Sequence, residues 1–387
     1  MSAAKERGVQ RARRQERAPA VRLPCQCAQY IVERMSRRYE TEQFMYDLPP
    51  ERIAQEPVEP RSSARLLDAS GREVVDRSIR DLPSLVCAGD LLVLNTTKVA
   101  PSRLLLRKRS GGSAEVLLLE QATDRQVDQG SGSASGEALY LALVRPGRRI
   151  RAGTVLQLHG EDAVVVESEA LGEERSRLVR VLDSRIISQF GQVALPPYIH
   201  VPLADPDRYQ TVYAVSPGSV AAPTAGLHLT TEVLQECVRN GARIATLDLS
   251  IGIGTFRPVT ASKPDDHVMH PERYRVPDDT MSMCVRSRRV IAVGTTTLRA
   301  LETVALTGEP SGTTELFVHG EFDFKLVDLL LTNFHQPRSS LLMLVESFYG
   351  PGWRDLYARA LRGSYRFLSF GDAMLLGRGE GKRLGGG

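Results

Sequence analysis

The sequence predicts an α/β protein in two parts, and three observations carry that reading. Between Glu73 and about Leu195 the apolar residues come in short Val- and Leu-rich runs, punctuated by Gly, Pro and Asp at strand-like spacing. After Leu195, strand-like and helical runs alternate, the pattern of βαβ units on a largely parallel sheet. At 387 residues, 42% hydrophobic and 25% charged, the chain is long enough for two domains with their own cores.

Residues 1–40 hold 10 Lys/Arg against 4 Asp/Glu, which leaves 40 against 42 for the rest. This basic arm, taken as residues 1–41, lacks strong apolar periodicity and is expected to be disordered. Met35 and Met45, just upstream of the first well-patterned segment, are candidate starts. Because the body is not basic, a polyanion must be met by the arm or by a local patch. Met45 to Leu67, rich in proline and charge, reads as a helix-turn lead-in rather than a core strand.

The next block contains "GDLLVLNTTKVAPSRLLLR", "AEVLLLE", "ALYLALVRPGRRIRAGTVLQL", "DAVVVES" and "SRLVRVL", an all-β unit that is a sandwich or a small barrel. It is interrupted from Gln121 to Glu137 by a polar Gly/Ser-rich stretch expected to be a mobile loop. Past "LPPYIHVPLADPDRYQTVYA", "TTEVLQECVRN" places Val233, Leu234, Cys237 and Val238 on one helical face, with Thr231 as N-cap candidate and Gly241 as C-cap candidate. A strand "ARIATLDLSIG", a helix "DDTMSMCVRSRR", a strand "VIAVG" and a helix "TTTLRALETVAL" follow, and the alternation continues to "YRFLSFGDAMLL". Residues 377–387 read as a flexible tail.

No apolar run approaches the ~18–20 residues of a bilayer span, and the first residues lack a secretory core, so a cytoplasmic protein without membrane contact is expected. The five cysteines, Cys25, Cys27, Cys87, Cys237 and Cys284, suit a reducing compartment. Cys25 and Cys27 lack a second pair at metal spacing, and no metal site is expected.

Candidate chemistry lies at the junctions of strands and helices. Gly294 leads a buried strand into Thr295, Thr296 and Thr297 at a helix start, where free N–H groups and the dipole attract an anion. Arg299 one turn on is placed to fork onto a carboxylate or phosphate; a threonine-capped helix with a surface arginine is the alternative. "LSIGIGTFRPV" sets Gly252 and Gly254 at a strand end with Arg257 beyond, but Arg257 replaces the third glycine of a dinucleotide fingerprint, which argues against a nicotinamide oxidoreductase. "DDHVMHPERY" offers His267, His270 and Glu272, but Pro271 breaks a helix that would aim them at a metal, so hydrogen-bonding or RNA-contacting roles are preferred. "LLTNFHQPRSSLLML" presents Asn333, His335 and Arg338 between a strand and a helix capped by Ser339.

In order, "YDLPPERIAQEP", "GDLLVLNTTKV", "YQTVYAVSPGSVAAPTAGLHLT", "IGIGTFRPV", "HVMHPERY", "VIAVGTTTLRALE", "LLLTNFHQPRSSLLMLVESF" and "YRFLSFGDAMLL" resemble the S-adenosylmethionine:tRNA ribosyltransferase-isomerases of queuosine biosynthesis, from about Tyr46 to Leu376. The resemblance implies transfer of the ribosyl part of S-adenosylmethionine to 7-aminomethyl-7-deazaguanine in the tRNA anticodon, giving epoxyqueuosine with loss of adenine and methionine. It implies a barrel-like α/β main domain (42–70 and 196–376) with a smaller β-barrel (71–195) inserted. S-adenosylmethionine is then a co-substrate, no cofactor is expected, and a monomer is expected. The chain departs from the family at Thr96 and Lys98, where Asp and Arg are usual, and at Leu229, where Phe is usual. A related enzyme acting on a free deazapurine, or a non-catalytic RNA-binding protein, remains an alternative.

A sulfonium acidifies the protons on its neighbouring carbons, so a base near the 5′ carbon could form an ylide that opens the ribose and expels adenine. His228 suits that need, with Thr224, Ala225 and Gly226 as small neighbours that let a nucleoside approach; a histidine that only holds its loop is the alternative. His335 is a second proton-transfer candidate, toward the departing base. Asp372 is placed to balance the sulfonium or hold a ribose hydroxyl, with N-capping or loop closure as the alternative. The Gly294–Arg299 helix start is expected to take the methionine carboxylate, and Arg257, His270, Arg299 and Arg338 are candidates for the tRNA.

Overall fold

The chain divides between Glu40 and Thr41, and the fold is that of the unit from Thr41 onward. The computed structural model describes residues 39–122, 136–171 and 175–379. The expected arm through residue 38, with Cys25 and Cys27, most of the expected loop after Gln121, and the tail beyond residue 379 lie outside the described residues.

Four strands open the fold: β1 (Arg65–Ala69), β2 (Val75–Ser78), β3 (Asp90–Asn95) and β4 (Thr97–Val99). Next come β5 (Arg103–Lys108), β6 (Ser113–Gln121), β7 (Ala138–Arg145), β8 (Val155–Leu158), β9 (Glu161–Val166), β10 (Arg177–Val181) and helix α1 (Arg185–Phe190). Strands β5 to β10 close into an antiparallel barrel in the order β10-β7-β6-β5-β8-β9. Alternation builds it: in β5, Leu104 and Leu106 point into the barrel core while Leu105 and Arg107 face solvent.

The remaining elements are β11 (Ser216–Ser219), α2 (Thr231–Arg239), β12 (Arg243–Leu249), β13 (Glu272–Arg275), α3 (Asp278–Arg286), β14 (Arg289–Val293), α4 (Thr295–Thr307), β15 (Ser311–Thr314), β16 (Leu329–Asn333), α5 (Ser340–Tyr349), α6 (Trp353–Arg362) and β17 (Ala373–Gly377). Among the described residues a nine-stranded mixed sheet runs β15-β13-β12-β3-β14-β16-β17-β1-β2. Its centre, β12, β3, β14 and β16, is parallel, so four carboxyl ends meet at one edge. The chain leaves that edge after β3, forms the barrel and returns through β11, which pairs with β4 in parallel.

Two expectations are corrected. The run "GDLLVLN", placed with the all-β unit, is β3 at the centre of the large sheet, and β2 is its edge strand; the barrel strands begin only at Arg103 and end at Val181. All six residues of β3 are buried, because a central parallel strand is covered on both faces and shows no alternation to distinguish it from a barrel strand. Leu66 and Leu67, expected in a lead-in turn, belong to β1 and are fully buried, one in each core cluster flanking the sheet. A smaller shift is at α2, where Thr230 rather than Thr231 is the N-cap, its Oγ1 accepting from Val233 N at 3.3 Å.

One face of the sheet is closed by α5 and α6 through an aromatic cluster. Trp353, the sole tryptophan, is fully buried, stacks on Phe44 at 6.2 Å and meets Tyr357 edge-on at 5.3 Å. Trp353→Ala is expected to destabilise the fold by about 3–5 kcal/mol, read as a lower urea midpoint by circular dichroism; a loss under about 1 kcal/mol would show that the cluster collapses around the gap.

Candidate active site

Where the parallel strands end, a half-open cleft is lined by Ala222–Ala225, Ile251, Thr255, Gly294–Thr296, Thr332–Gln336, Ser339 and Leu341, with Tyr198, Leu368 and Ser369 closing it. This is where α/β sheets collect ligands, because strand ends and helix starts leave backbone groups to be satisfied there. None of its lining residues carries a formal charge.

One wall is the β14–α4 junction. Gly294 sits at φ 94°, a left-handed conformation that disfavours side chains, and its N–H donates to Leu331 O at 2.8 Å. No side chain caps α4, and Thr295 and Thr296 at its start line the cleft. The adjoining strand ends are tied by Asn95, which sequence reasoning passed over. Its Nδ2 donates to Leu249 O at 3.0 Å and Thr296 Oγ1 at 3.4 Å, while its Oδ1 accepts from Leu249 N and Thr97 N, each at 3.1 Å. A lone amide ending the four-residue apolar run Leu91–Leu94 was the available signal.

The opposite wall carries His335, which lines the cleft, with its Nε2 3.0 Å from Thr332 Oγ1. Its backbone is held from behind: its N–H donates to Tyr357 Oη at 3.0 Å, and its carbonyl accepts from Tyr46 Oη. Next to it, Asn333 accepts at Oδ1 from Thr224 Oγ1 at 2.8 Å and presents Nδ2 to His228 Nε2 at 3.2 Å. With the hydroxyl of Thr224 donating to Oδ1, the amide nitrogen faces the imidazole, and His228 then accepts with its proton on Nδ1.

His228 therefore does not line the cleft. Asn333 stands between, and His228 faces instead a small crevice with Arg61, Arg208 and Phe370. Burial lowers both imidazoles to a pKa of about 3, assisted at His228 by the positive charges of Arg366, Arg208 and Arg61. Both rings are neutral at physiological pH.

Several expected residues do other work. Arg299 is buried and its guanidinium pairs with Glu272, with Nε donating to Leu316 O at 2.9 Å; it does not reach the cleft, because a buried guanidinium requires a buried carboxylate. The other oxygen of Glu272 accepts from Gly252 N at 3.1 Å and Thr255 Oγ1 at 3.2 Å, so this carboxylate shapes the glycine loop instead of holding a metal. Among the described residues no group of three or more His, Cys, Asp or Glu could hold an ion. Asp372 accepts from the backbone of Arg65 at 2.9 Å and Arg366 at 2.8 Å, and is absent from the cleft: it closes a loop. Gly226 admits the Tyr213 hydroxyl, which would lie 2.0 Å from an added Cβ, and Gly254 admits the His270 ring, 2.3 Å from one; neither glycine lines the cleft. Gly252 is outside it too. Arg257 and His270 are exposed, and Arg338, at φ 53°, bonds Val259 O at 3.4 Å and lies 3.7 Å from Glu42, all three outside the lining. The structure thus gathers Thr224, Ala225, Gly294, Thr295, Thr296, Asn333 and His335 around one space, and adds Tyr198, Thr332 and Ser369.

Residues 41–376 match the family described as queuosine biosynthesis protein. An S-adenosylmethionine:tRNA ribosyltransferase-isomerase from Thermotoga maritima is 44% identical over 86% of this chain and 98% of its own length. The protein of the same description from Rubrobacter xylanophilus is 45% identical over 89% of this chain and 99% of its own. A crystal structure of S-adenosylmethionine tRNA ribosyltransferase from Thermotoga maritima is 35% identical, covers 86% of this chain and 99% of that one, and has a TM-score of 0.48.

Histidines lowered by burial stay uncharged in the fold but take a proton when unfolded below the ordinary pKa of about 6.5. The unfolded state then binds more protons, so stability must fall as pH falls from about 6.5 toward 3, by at most about 1.4 kcal/mol per pH unit for each ring. Urea unfolding between about pH 6.5 and 5, above the carboxylate range, is expected to show this slope, and His228→Asn/His335→Asn is expected to flatten it. Equal slopes in the two proteins would place the rings in contact with water.

Proposed function

The chain belongs to the queuosine biosynthesis protein family and carries its S-adenosylmethionine:tRNA ribosyltransferase-isomerase activity, and from that premise we propose that the uncharged cleft holds S-adenosylmethionine with His335 at its sugar. The observation that carries the reading is the absence of formal charge around a neutral imidazole. Proton transfer from the C5′ carbon leaves a ylide that is neutral overall beside an imidazolium, so the net charge in the cleft is conserved and no further charged group is required. The ring, with a pKa of about 3, is a weak base, and the scheme requires that its proton pass on at once.

In this reading His335 takes the C5′ proton, the electron pair left on carbon opens the ribose, and the C–N bond to adenine breaks. The same imidazolium returns the proton to the departing adenine. The opened sugar passes to the aminomethyl group of the tRNA base and rearranges to the epoxycyclopentanediol, and methionine leaves. The uncapped start of α4 at Thr295 and Thr296 takes the methionine carboxylate, now without Arg299. Tyr198, Ile251 and Leu341 offer apolar surface to the adenine. His228 acts through Asn333, fixing its amide at the cleft wall. S-adenosylmethionine is consumed as a co-substrate, and no resident cofactor enters the scheme.

Incubation with S-adenosylmethionine and tRNA bearing the aminomethyl-deazaguanine base is expected to release adenine and methionine; S-adenosylhomocysteine as product would refute the scheme. Turnover of the free base in place of the tRNA would move the chain to a deazapurine substrate. His335→Ala is expected to lower kcat on the order of 10²–10⁴-fold, whereas His228→Ala, which only releases Asn333, is expected to cost about 10²-fold or less. Near wild-type turnover by His335→Ala would remove the ring from the proton path.

A further inference from the structure

The far end of the barrel carries a concentrated positive surface. The β5–β6 turn and the β7–β8 loop, residues 107–112 and 145–151, hold seven Lys/Arg and no Asp or Glu. Register places them together: Lys108 pairs with Leu156 at the start of β8, and Arg145 pairs with Glu115 near the start of β6. Lys108 Nζ also donates to Arg149 O at 3.2 Å. The loop is pinned from below, with Ile150 fully buried in the barrel core and Arg177 donating to Gly147 O at 2.8 Å. Its cations therefore stand on a built platform.

Four of the carboxylates nearby are already committed, and Glu161 at the start of β9 is the exposed exception. Glu115 pairs with Arg103, Glu167 with Arg180, Glu169 with Arg177, and Asp162 with Arg109. That leaves Arg107, Lys108, Arg145, Arg148, Arg149 and Arg151 with no carboxylate partner among the described residues, and all but Lys108 are exposed. Unneutralised cations in such density are unfavourable for the folded chain alone and suit a polyanion.

Position selects the polyanion. The barrel rises from the carboxyl edge of β3 and returns at Tyr198, which lines the cleft, so it stands on the cleft side of the sheet. Its basic pole lies at the end of β5 opposite Arg103, whose backbone is hydrogen-bonded to Gln192 where the barrel joins the body. Five residues of extended strand separate the two by ~17 Å. We propose that this pole grips the phosphate backbone of the same tRNA whose anticodon base enters the cleft, at phosphates outside the anticodon loop. The inference rests on tRNA being the substrate. Arginines meeting phosphates set orientation and affinity while leaving base choice to the cleft.

The triple variant Arg148→Gln/Arg149→Gln/Arg151→Gln tests it, with Arg148→Lys/Arg149→Lys/Arg151→Lys as the charge-keeping control. Unmodified tRNA binding is followed by fluorescence anisotropy between about 50 and 200 mM salt. The Gln variant is expected to reduce the slope of log Kd against log salt by about 2 to 3, since each lost phosphate contact removes about 0.7–0.9. In turnover its KM for tRNA should rise about tenfold or more at low salt, with kcat and the KM for S-adenosylmethionine unchanged and the Lys variant near wild type. A Gln variant with the wild-type salt slope and KM overturns the proposal, as does a Lys variant that loses affinity equally. If the wild-type protein released no adenine, the substrate reading would fail, while the salt slope would still decide whether this surface binds RNA.

Discussion

Backbone amides and carbonyls at the ends of four parallel strands are buried where no further strand can take them, and the site is organised by how they are satisfied. Each group left unpaired would cost about 1–3 kcal/mol, so side chains must be spent on them. Asn95 is the main such device: one buried amide closes the ends of β3 and β12 and reaches Thr296 on α4. Glu272 does the same for the loop after β12, and Thr224 locks Asn333 at the end of β16. The cleft is the space left between these ties, and its walls are correspondingly rigid.

That economy explains why the cleft has no formal charge. The charged groups nearest to it are paired with partners of their own: Arg299 with Glu272, and Asp372 with two backbone amides. Removing one member of a buried pair such as Arg299–Glu272 costs about 3–5 kcal/mol, far more than one exposed contact to a ligand returns. The buried charges are therefore structural, and the two histidines, left without a carboxylate, remain neutral. In the proposed reading a cationic substrate then meets dipoles and a helix start.

Much of this was legible in the chain. Ser339 caps α5 as expected, with Leu342 N donating to its Oγ at 3.2 Å, and Gly294 turns β14 into α4 as its place before three threonines implies. His335 and Asn333 share one wall because they are two residues apart at a strand end. What could not be read was pairing across long separations. Nothing around Arg299 announces that Glu272, 27 positions away, will consume it. Nothing in "PTAGLH" shows that Asn333 will come between His228 and the open space. The assignment of β3 failed for a related reason: a fully buried parallel strand and a barrel strand are both short apolar runs, and only sheet order separates them.

The two halves of the fold divide the electrostatic work. An uncharged cleft exerts no pull on a polyanionic substrate, and the residues after the arm hold 40 basic and 42 acidic side chains, so the body adds none. Placing arginines beside the cleft would attract RNA, yet a cation near the imidazole would lower its affinity for protons further, as Arg366, Arg208 and Arg61 already do at His228. A separate barrel escapes this conflict. Its core of Leu, Val and Ile needs no polar input from the sheet, so its far loops are free to carry charge at a distance greater than the roughly 8–10 Å over which salt screens it at physiological strength. Attraction can then be strong at the pole without reaching the proton-transfer site, which makes distance, and not sequence at the cleft, the means of keeping binding and chemistry apart.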